Sequence, residues 1–175
     1  MATAHLISGL PCSGKTTYST ALKADTDAVH FSLDYWLITV YGQYSIESIG
    51  HEEHVRRVVA CRELIWHSAS ALLMRGVDVI LDDGFFFEEN RRQHITLTKQ
   101  IGASAKIHYL NVPVDVLRVR IQQRNARLPK YNFRIDPAML DVFIGLFEPP
   151  SPEEGAQLAA VAEDIVQAPV GISPS

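Results

Sequence analysis

The sequence predicts an α/β fold, a parallel sheet with helices packed on both faces. Three observations carry this expectation. Short apolar runs rich in branched residues alternate with longer stretches of helical period along the chain. Several of those runs end in glycine or aspartate. Between the first run and the first helical stretch stands a loop with two glycines five positions apart, Gly9 and Gly14. A length of 175 residues fits one domain, residues 1–175, with enough chain for a core. The 47% apolar and 21% charged residues are ordinary globular values and exclude a wholly disordered chain.

The elements follow in order. Residues 5–8, HLIS, form the first strand, and residues 15–24 the first helix. Residues 28–32, AVHFS, are the second strand, followed by Asp34. Residues 51–75 are a long helix stopped by Gly76, with Val55, Val58, Val59, Leu64, Ile65, Leu72 and Leu73 near one face. Residues 77–81, VDVIL, are the third strand, with Asp82, Asp83 and Gly84 at its end. A helix over 88–101, a strand over 105–112 and helices over 113–127 and 137–147 continue the alternation. In the linker 148–155, Ser151 and Glu154 have capping-box spacing. Residues 163–168 are expected as a fifth strand and 169–175 as a loose tail.

Ligands of such sheets bind beyond the carboxyl ends of the strands. The residues there are chemically telling. Gly9, Gly14, Lys15 and Thr16 fit G-x-x-x-x-G-K-[ST] between a strand and a helix, the arrangement of a phosphate-binding loop. Glycines let backbone N–H groups approach and converge on a phosphate. The helix that follows offers free N–H groups and a positive dipole end. Contacts to ATP are therefore expected from Gly9, Leu10, Pro11, Cys12, Ser13, Gly14, Lys15, Thr16 and Thr17, with the Thr16 hydroxyl on a magnesium ion. Cys12 reads as a small loop filler rather than a nucleophile.

Three further features favour phosphoryl transfer over simple binding. Asp34 stands where a carboxylate could accept a proton from an attacking hydroxyl, although an aspartate there would also cap a helix starting at residue 35. Asp82 and Asp83 close an apolar strand, the usual place for a carboxylate near magnesium, and strand alternation turns them to opposite sides. We assign Asp82 to the metal and Asp83 to the acceptor, although spacing alone leaves them interchangeable. Between residues 118 and 134 stand six positive charges and no negative one, in a chain of net charge −4. Helical spacing makes Arg120 and Arg124 neighbours, and Arg124 and Arg127 likewise, suited to charge on a transferring phosphoryl group.

These stretches (GLPCSGKTT, FSLDYW, VILDDGFF, RNAR and FEPPSPEEG) resemble the small P-loop, AAA-type kinases grouped with the zeta toxins, chloramphenicol phosphotransferase and the kinase domain of phage polynucleotide kinase. The resemblance runs from residue 5 to about 168 and implies a P-loop NTPase fold with sheet order 2-3-1-4-5. It implies Asp34 as the base, and Arg124 and Arg127 as nucleotide-contacting arginines of a lid, here about 118–136. One departure matters: polynucleotide kinases of this kind pair the base with a nearby arginine, and residues 31–55 contain none.

That departure and the acidic balance disfavour a nucleic-acid acceptor. Aromatic residues where the acceptor is expected, Trp36, Phe85 and Phe86 among them, favour a small molecule. The leading expectation is thus a cytoplasmic ATP- and magnesium-dependent kinase, monomer or homodimer, acting on a hydroxyl of an antibiotic, a sugar-like metabolite or a nucleoside. A polynucleotide 5′-hydroxyl kinase, a toxin-type nucleotide-sugar kinase and a non-catalytic nucleotide-binding module are the alternatives. His51, His54 and His67 lack metal-site spacing, so no zinc site is expected. Two cysteines point to a reducing compartment, and neither a signal peptide nor a membrane-length apolar run is visible.

Overall fold

The computed structural model describes residues 1–159. Its elements are β1 (Thr3–Ser8), α1 (Lys15–Thr26), β2 (Val29–Ser32), α2 (Leu33–Tyr41), α3 (Ile46–Ile49), α4 (His51–Leu73), β3 (Val79–Gly84), α5 (Glu88–Gln100), β4 (Ser104–Tyr109), α6 (Val114–Ala126), α7 (Pro137–Leu146), a 3₁₀ turn (Pro152–Glu154) and β5 (Gln157–Leu158). All strand pairs are parallel, in the order β2-β3-β1-β4-β5. The strand expected at 163–168 and the tail at 169–175 lie outside the described residues. The strand that pairs with β4 is the short Gln157–Leu158. Among the described residues no helix is long and apolar enough to cross a membrane.

Period-2 alternation divides the core. Ala4, Leu6, Phe31, Val79, Leu81 and Ile107 share one cluster with residues of α4. Ile7, Ile80 and Leu110 face the other way, under Tyr18 and Leu22 of α1. A third cluster joins Leu117 and Ile121 of α6 to Leu140 of α7, with Leu10 and Cys12 of the glycine loop against it. The α6–α7 pair is therefore anchored on the loop it overhangs.

In α4 the buried stripe differs from the expected one. Cys61, Ile65, Ala69 and Leu73, each four apart, face the sheet. Val55, Val59 and Leu64 are 44%, 46% and 51% exposed. Small Cys61 and Ala69 let the helix approach the sheet closely, so the periodic position decides burial and not the apolar type. The helix after β2 likewise starts earlier than expected. Ser32 caps it by accepting from the Tyr35 N–H (3.5 Å), so Asp34 lies inside the first turn and its carboxyl is not spent on a cap. The single turn α3 escaped periodicity altogether. It is held by a reciprocal Ser45–Ser48 cap, a variant of the usual box.

Under α1 lies a chain of polar groups inside the sheet layer. His5 Nδ1 and His108 Nε2 are 2.8 Å apart, and the Tyr18 hydroxyl is 2.8 Å from His108 Nδ1. Burial, then the neighbouring His5 and Lys106, push His108 down from 6.5 to about 4, and burial also lowers His5. The unfolded chain thus binds more protons than the folded one between pH 6.5 and about 4. Stability should be complete above that window and fall through it, by up to about 3 kcal/mol for a shift of this size. Urea unfolding at about pH 7.5 and pH 5 measures this. His108→Gln should flatten the dependence, and equal stability at both pH values would refute it.

Candidate active site

The site is built on the β1–α1 turn. Gly9 passes close to the rest of the fold: a Cβ there would meet Ser13 Oγ at 2.8 Å and the Leu110 carbonyl oxygen at 3.0 Å. Gly14 sits at φ 95° as the N-cap of α1 and supplies no side-chain cap, so the first helical N–H groups stay open to a ligand. Lys15 Nζ bridges the loop, donating to the Gly9 and Leu10 carbonyls at 3.1 and 2.9 Å. Crowding by protein lowers the Lys15 ammonium from its ordinary value, and the carboxylates of Asp82 and Asp34 oppose that shift.

Two carboxylates face this lysine, Asp82 from the end of β3 and Asp34 from the first turn of α2. Asp82, buried at the end of β3, accepts from Thr16 Oγ1 at 3.1 Å, and His30 Nε2 lies 3.5 Å from the same oxygen. Asp34 is exposed on α2, yet its carboxyl is surrounded by enough protein to be partly desolvated. Desolvation there pushes it up to about 6, with Asp82 and Asp83 adding repulsion and Lys15 and Arg124 opposing. A carboxylate poised near neutrality beside a cationic loop can accept a proton.

Arginines of α6 close the opposite side. Arg120 Nη1 is 3.5 Å from the Cys12 carbonyl oxygen, and Arg124 Nη2 donates to the Phe133 carbonyl at 3.1 Å. The Nε–H groups of both are buried without a partner, and so is the Ser13 hydroxyl in the loop itself. Buried orphan donors are costly. Three of them around one glycine loop mark a place shaped for an anion. Arg127, in contrast, is exposed just beyond the end of α6 and makes no side-chain hydrogen bond among the described residues. The structure brings Arg120 and Arg124 to the loop and leaves Arg127 outside.

The segment expected as a lid divides in two. Residues 118–126 belong to α6, and 127–136 form a loop reaching the far wall. There Tyr131 meets Tyr35 at 4.7 Å between ring centroids, Phe133 meets Tyr44 at 4.9 Å, and Gln43 Nε2 donates to the Asn132 carbonyl at 3.0 Å. None of these contacts is legible in sequence, because each joins residues far apart in the chain.

Asp83 turns to the α4 side, as alternation requires, and Arg62 grips it through Nε and Nη2 at 2.6 and 2.7 Å. Sequence reasoning missed Arg62. The sole hint was that adjacent carboxylates need a cation. The three phenylalanines diverge. Phe85 is buried in the core, Phe86 packs edge-on against Phe143 and Phe147, and Phe87 is 39% exposed. Trp36 packs at the core edge, 6.4 Å from the Phe31 ring. Of the acceptor-side residues singled out, Asp34, Asp83 and Phe85 border the β3 end, whereas Phe86 and Trp36 are taken up by packing.

A glycine loop at the head of a 2-3-1-4-5 parallel sheet, overhung by an arginine-bearing helix, defines a P-loop nucleotide-binding protein of kinase-like fold. A family model described as an AAA domain matches residues 5–150, and the chain belongs to that family. No curated protein matches it at a significant level. Among solved structures, a candidate kinase from Chloroflexus aurantiacus J-10-fl is 22% identical at a TM-score of 0.67, covering 86% of this chain and 82% of its own. Kti12 of Chaetomium thermophilum, solved with ADP-AlF3, is 19% identical at a TM-score of 0.66, covering 93% and 91%. A gluconokinase from Sinorhizobium meliloti 1021 is 14% identical at a TM-score of 0.61, covering 92% and 83%. At such identities the likeness is one of fold.

Proposed function

We propose that this protein is an ATP-dependent phosphotransferase that moves the γ-phosphoryl group to a hydroxyl of a small molecule. The observation that carries the reading is the convergence of Lys15, Asp34 and the unpartnered donors of Ser13, Arg120 and Arg124 on one cleft. The loop amides and Lys15 bind the phosphate tail. Asp34 accepts the proton as the acceptor oxygen attacks phosphorus, the bond to the ADP oxygen breaks, and Arg120 and Arg124 meet the charge that spreads over the phosphoryl oxygens. The Thr16 hydroxyl and Asp82 carboxylate, 3.1 Å apart, are hard oxygen donors that fit magnesium and would hold it. The ion would offset phosphate charge. Within the group resembled by its motifs, the chain stands nearer the small-molecule enzymes, because no arginine accompanies Asp34 on α2.

Calorimetry with magnesium and ATP, then mass spectrometry of a hydroxylated acceptor panel for the gain of one phosphoryl group, tests the reading. Lys15→Ala should lower transfer to every acceptor by about 10²-fold or more. An unchanged rate would remove the loop from the chemistry. Cys12 offers a second measure. Burial holds its thiol above the ordinary value, against Arg124, Lys15 and Arg120, so labelling by a thiol reagent should be slow. Magnesium-ATP should slow it further by covering the loop. Labelling at one rate with and without nucleotide would argue against occupancy there.

A further inference from the structure

The acceptor wall carries chemistry that the phosphate side does not use. At the end of β3, beside Leu33 and therefore next to Asp34 in the chain, lies a pocket of about 10 Å³, room for one hydroxyl-sized group. Its polar lining is Arg62, Asp82, Asp83 and His94, and its apolar lining includes Trp66 and Phe85.

The valences of that lining can be counted. Arg62 spends Nε and Nη2 on Asp83 and keeps the Nη1 donors. His94 places Nδ1 2.8 Å from the Asn90 carbonyl oxygen, which can only accept, so Nδ1 carries the proton and Nε2 is left as an acceptor. Burial lowers His94, which keeps the ring neutral at pH 7. Trp66 and Phe85 both meet the His94 ring edge-on, at 5.6 and 5.0 Å, and fix its orientation. The pocket thus offers donors and acceptors together, the need of an alcohol, which gives one hydrogen bond and takes others.

The lining of this pocket itself offers no uncompensated cation. Arg62 is neutralised by Asp83. Arg56 and Arg57 of the same helix share the single Glu53 carboxylate and lie outside this lining, with Arg57 over Tyr41 and Tyr44 at 4.7 and 4.8 Å. Residues 160–175 contain no Lys, Arg or His that could supply one. The arginines with buried unpartnered Nε–H groups, Arg120 and Arg124, face the phosphate loop. A carboxylate or phosphate entering this pocket would meet Asp82, Asp83 and the His94 lone pair, and would be desolvated without a partner.

We propose that the acceptor is an uncharged polyol, held through a second hydroxyl by Arg62, Asp83 and His94 while another of its hydroxyls faces Asp34. This rests on the phosphotransferase reading above and narrows its substrate class. It also separates this chain from an enzyme for a sugar acid.

The test uses matched acceptors that differ in one group, such as glucitol against gluconate and inositol against inositol monophosphate, with the full chain and magnesium-ATP. The neutral member should have the higher kcat/KM by about tenfold or more. Asp83→Asn frees the charge of Arg62 and should move that ratio toward the anionic member by about tenfold. Should Asp83→Asn unfold, His94→Phe removes the Nε2 lone pair along with the Nδ1–H bond to the Asn90 carbonyl, and should raise KM for the neutral acceptor while KM for ATP stays unchanged. Faster transfer to the anionic members, or a ratio indifferent to both substitutions, would overturn the polyol assignment and leave the kinase reading standing. ATP binding with no transfer to any member of either pair would overturn both.

Discussion

Asp34→Asn should cut the rate of phosphoryl transfer by about 10²–10⁴-fold, the range for loss of a general base, with little change in nucleotide affinity. The amide keeps the shape and cannot take a proton. Asp34 lies on α2, across the cleft from the loop amides that bind phosphate, so binding and chemistry should separate cleanly. The pH profile gives a second signature. With the Asp34 carboxyl pushed up to about 6, kcat/KM of the wild type should rise as pH increases through about 6 and level off above it. The variant should lose that limb. Stability runs the other way: a raised carboxyl binds more protons folded than unfolded, so its ionised form opposes folding as pH climbs from 3.8 to about 6. Asp34→Asn should therefore raise the melting temperature at pH 7 while lowering activity. Full activity in the variant, or a profile unchanged near pH 6, would remove Asp34 from the role of base.

The largest loss of stability is expected at Arg91. This arginine is fully buried. Its Nη1 donates to the Phe85 and Glu148 carbonyls, both at 2.9 Å, while Nε and Nη2 grip Glu154 at 2.7 and 3.0 Å. The Phe85 carbonyl also accepts from Ser8 Oγ at 3.2 Å, so one guanidinium ties α5, the end of β3 and the chain before β5 to β1. Arg91→Met would leave the half-buried Glu154 carboxylate without its cation and take one hydrogen bond from each of the Phe85 and Glu148 carbonyls, a cost of about 3 kcal/mol. Denaturant unfolding measures it. The double variant Arg91→Met/Glu154→Gln should recover part of the loss, since the stranded charge is the expensive element. A loss below about 1 kcal/mol would show the clamp to be dispensable. Because Phe85 and the β3 end border the acceptor pocket, a folded Arg91 variant should also show a raised KM for acceptor.

Much of this was readable along the chain, and the exceptions share a cause. The glycine loop, the alternation of strands and helices and the opposite facing of Asp82 and Asp83 depend on neighbours within a few residues, where periodicity and turn chemistry act. Asp34 was legible as a carboxylate after a strand. Its freedom from capping required knowing that Ser32 takes that duty. The face of α4 was misread because Val55, Val59 and Leu64 look like core by type, while Cys61 and Ala69 are core by position. Among the arginines of residues 118–134, spacing could not choose. Only the path of α6 over the loop turns Arg120 and Arg124 inward and leaves Arg127 in solvent.

The sequence by itself determined a parallel α/β domain with a phosphate loop, and the carboxylates and arginines available to it. The tertiary structure alone decided which of them work together. Arg62 meets Asp83 across 21 residues, Arg91 meets Glu154 across 63, and His5 meets His108 across 103. Local rules see backbone preference and the facing of side chains within one element. Charge pairing and desolvation act through space, and the packed sheet alone sets those distances.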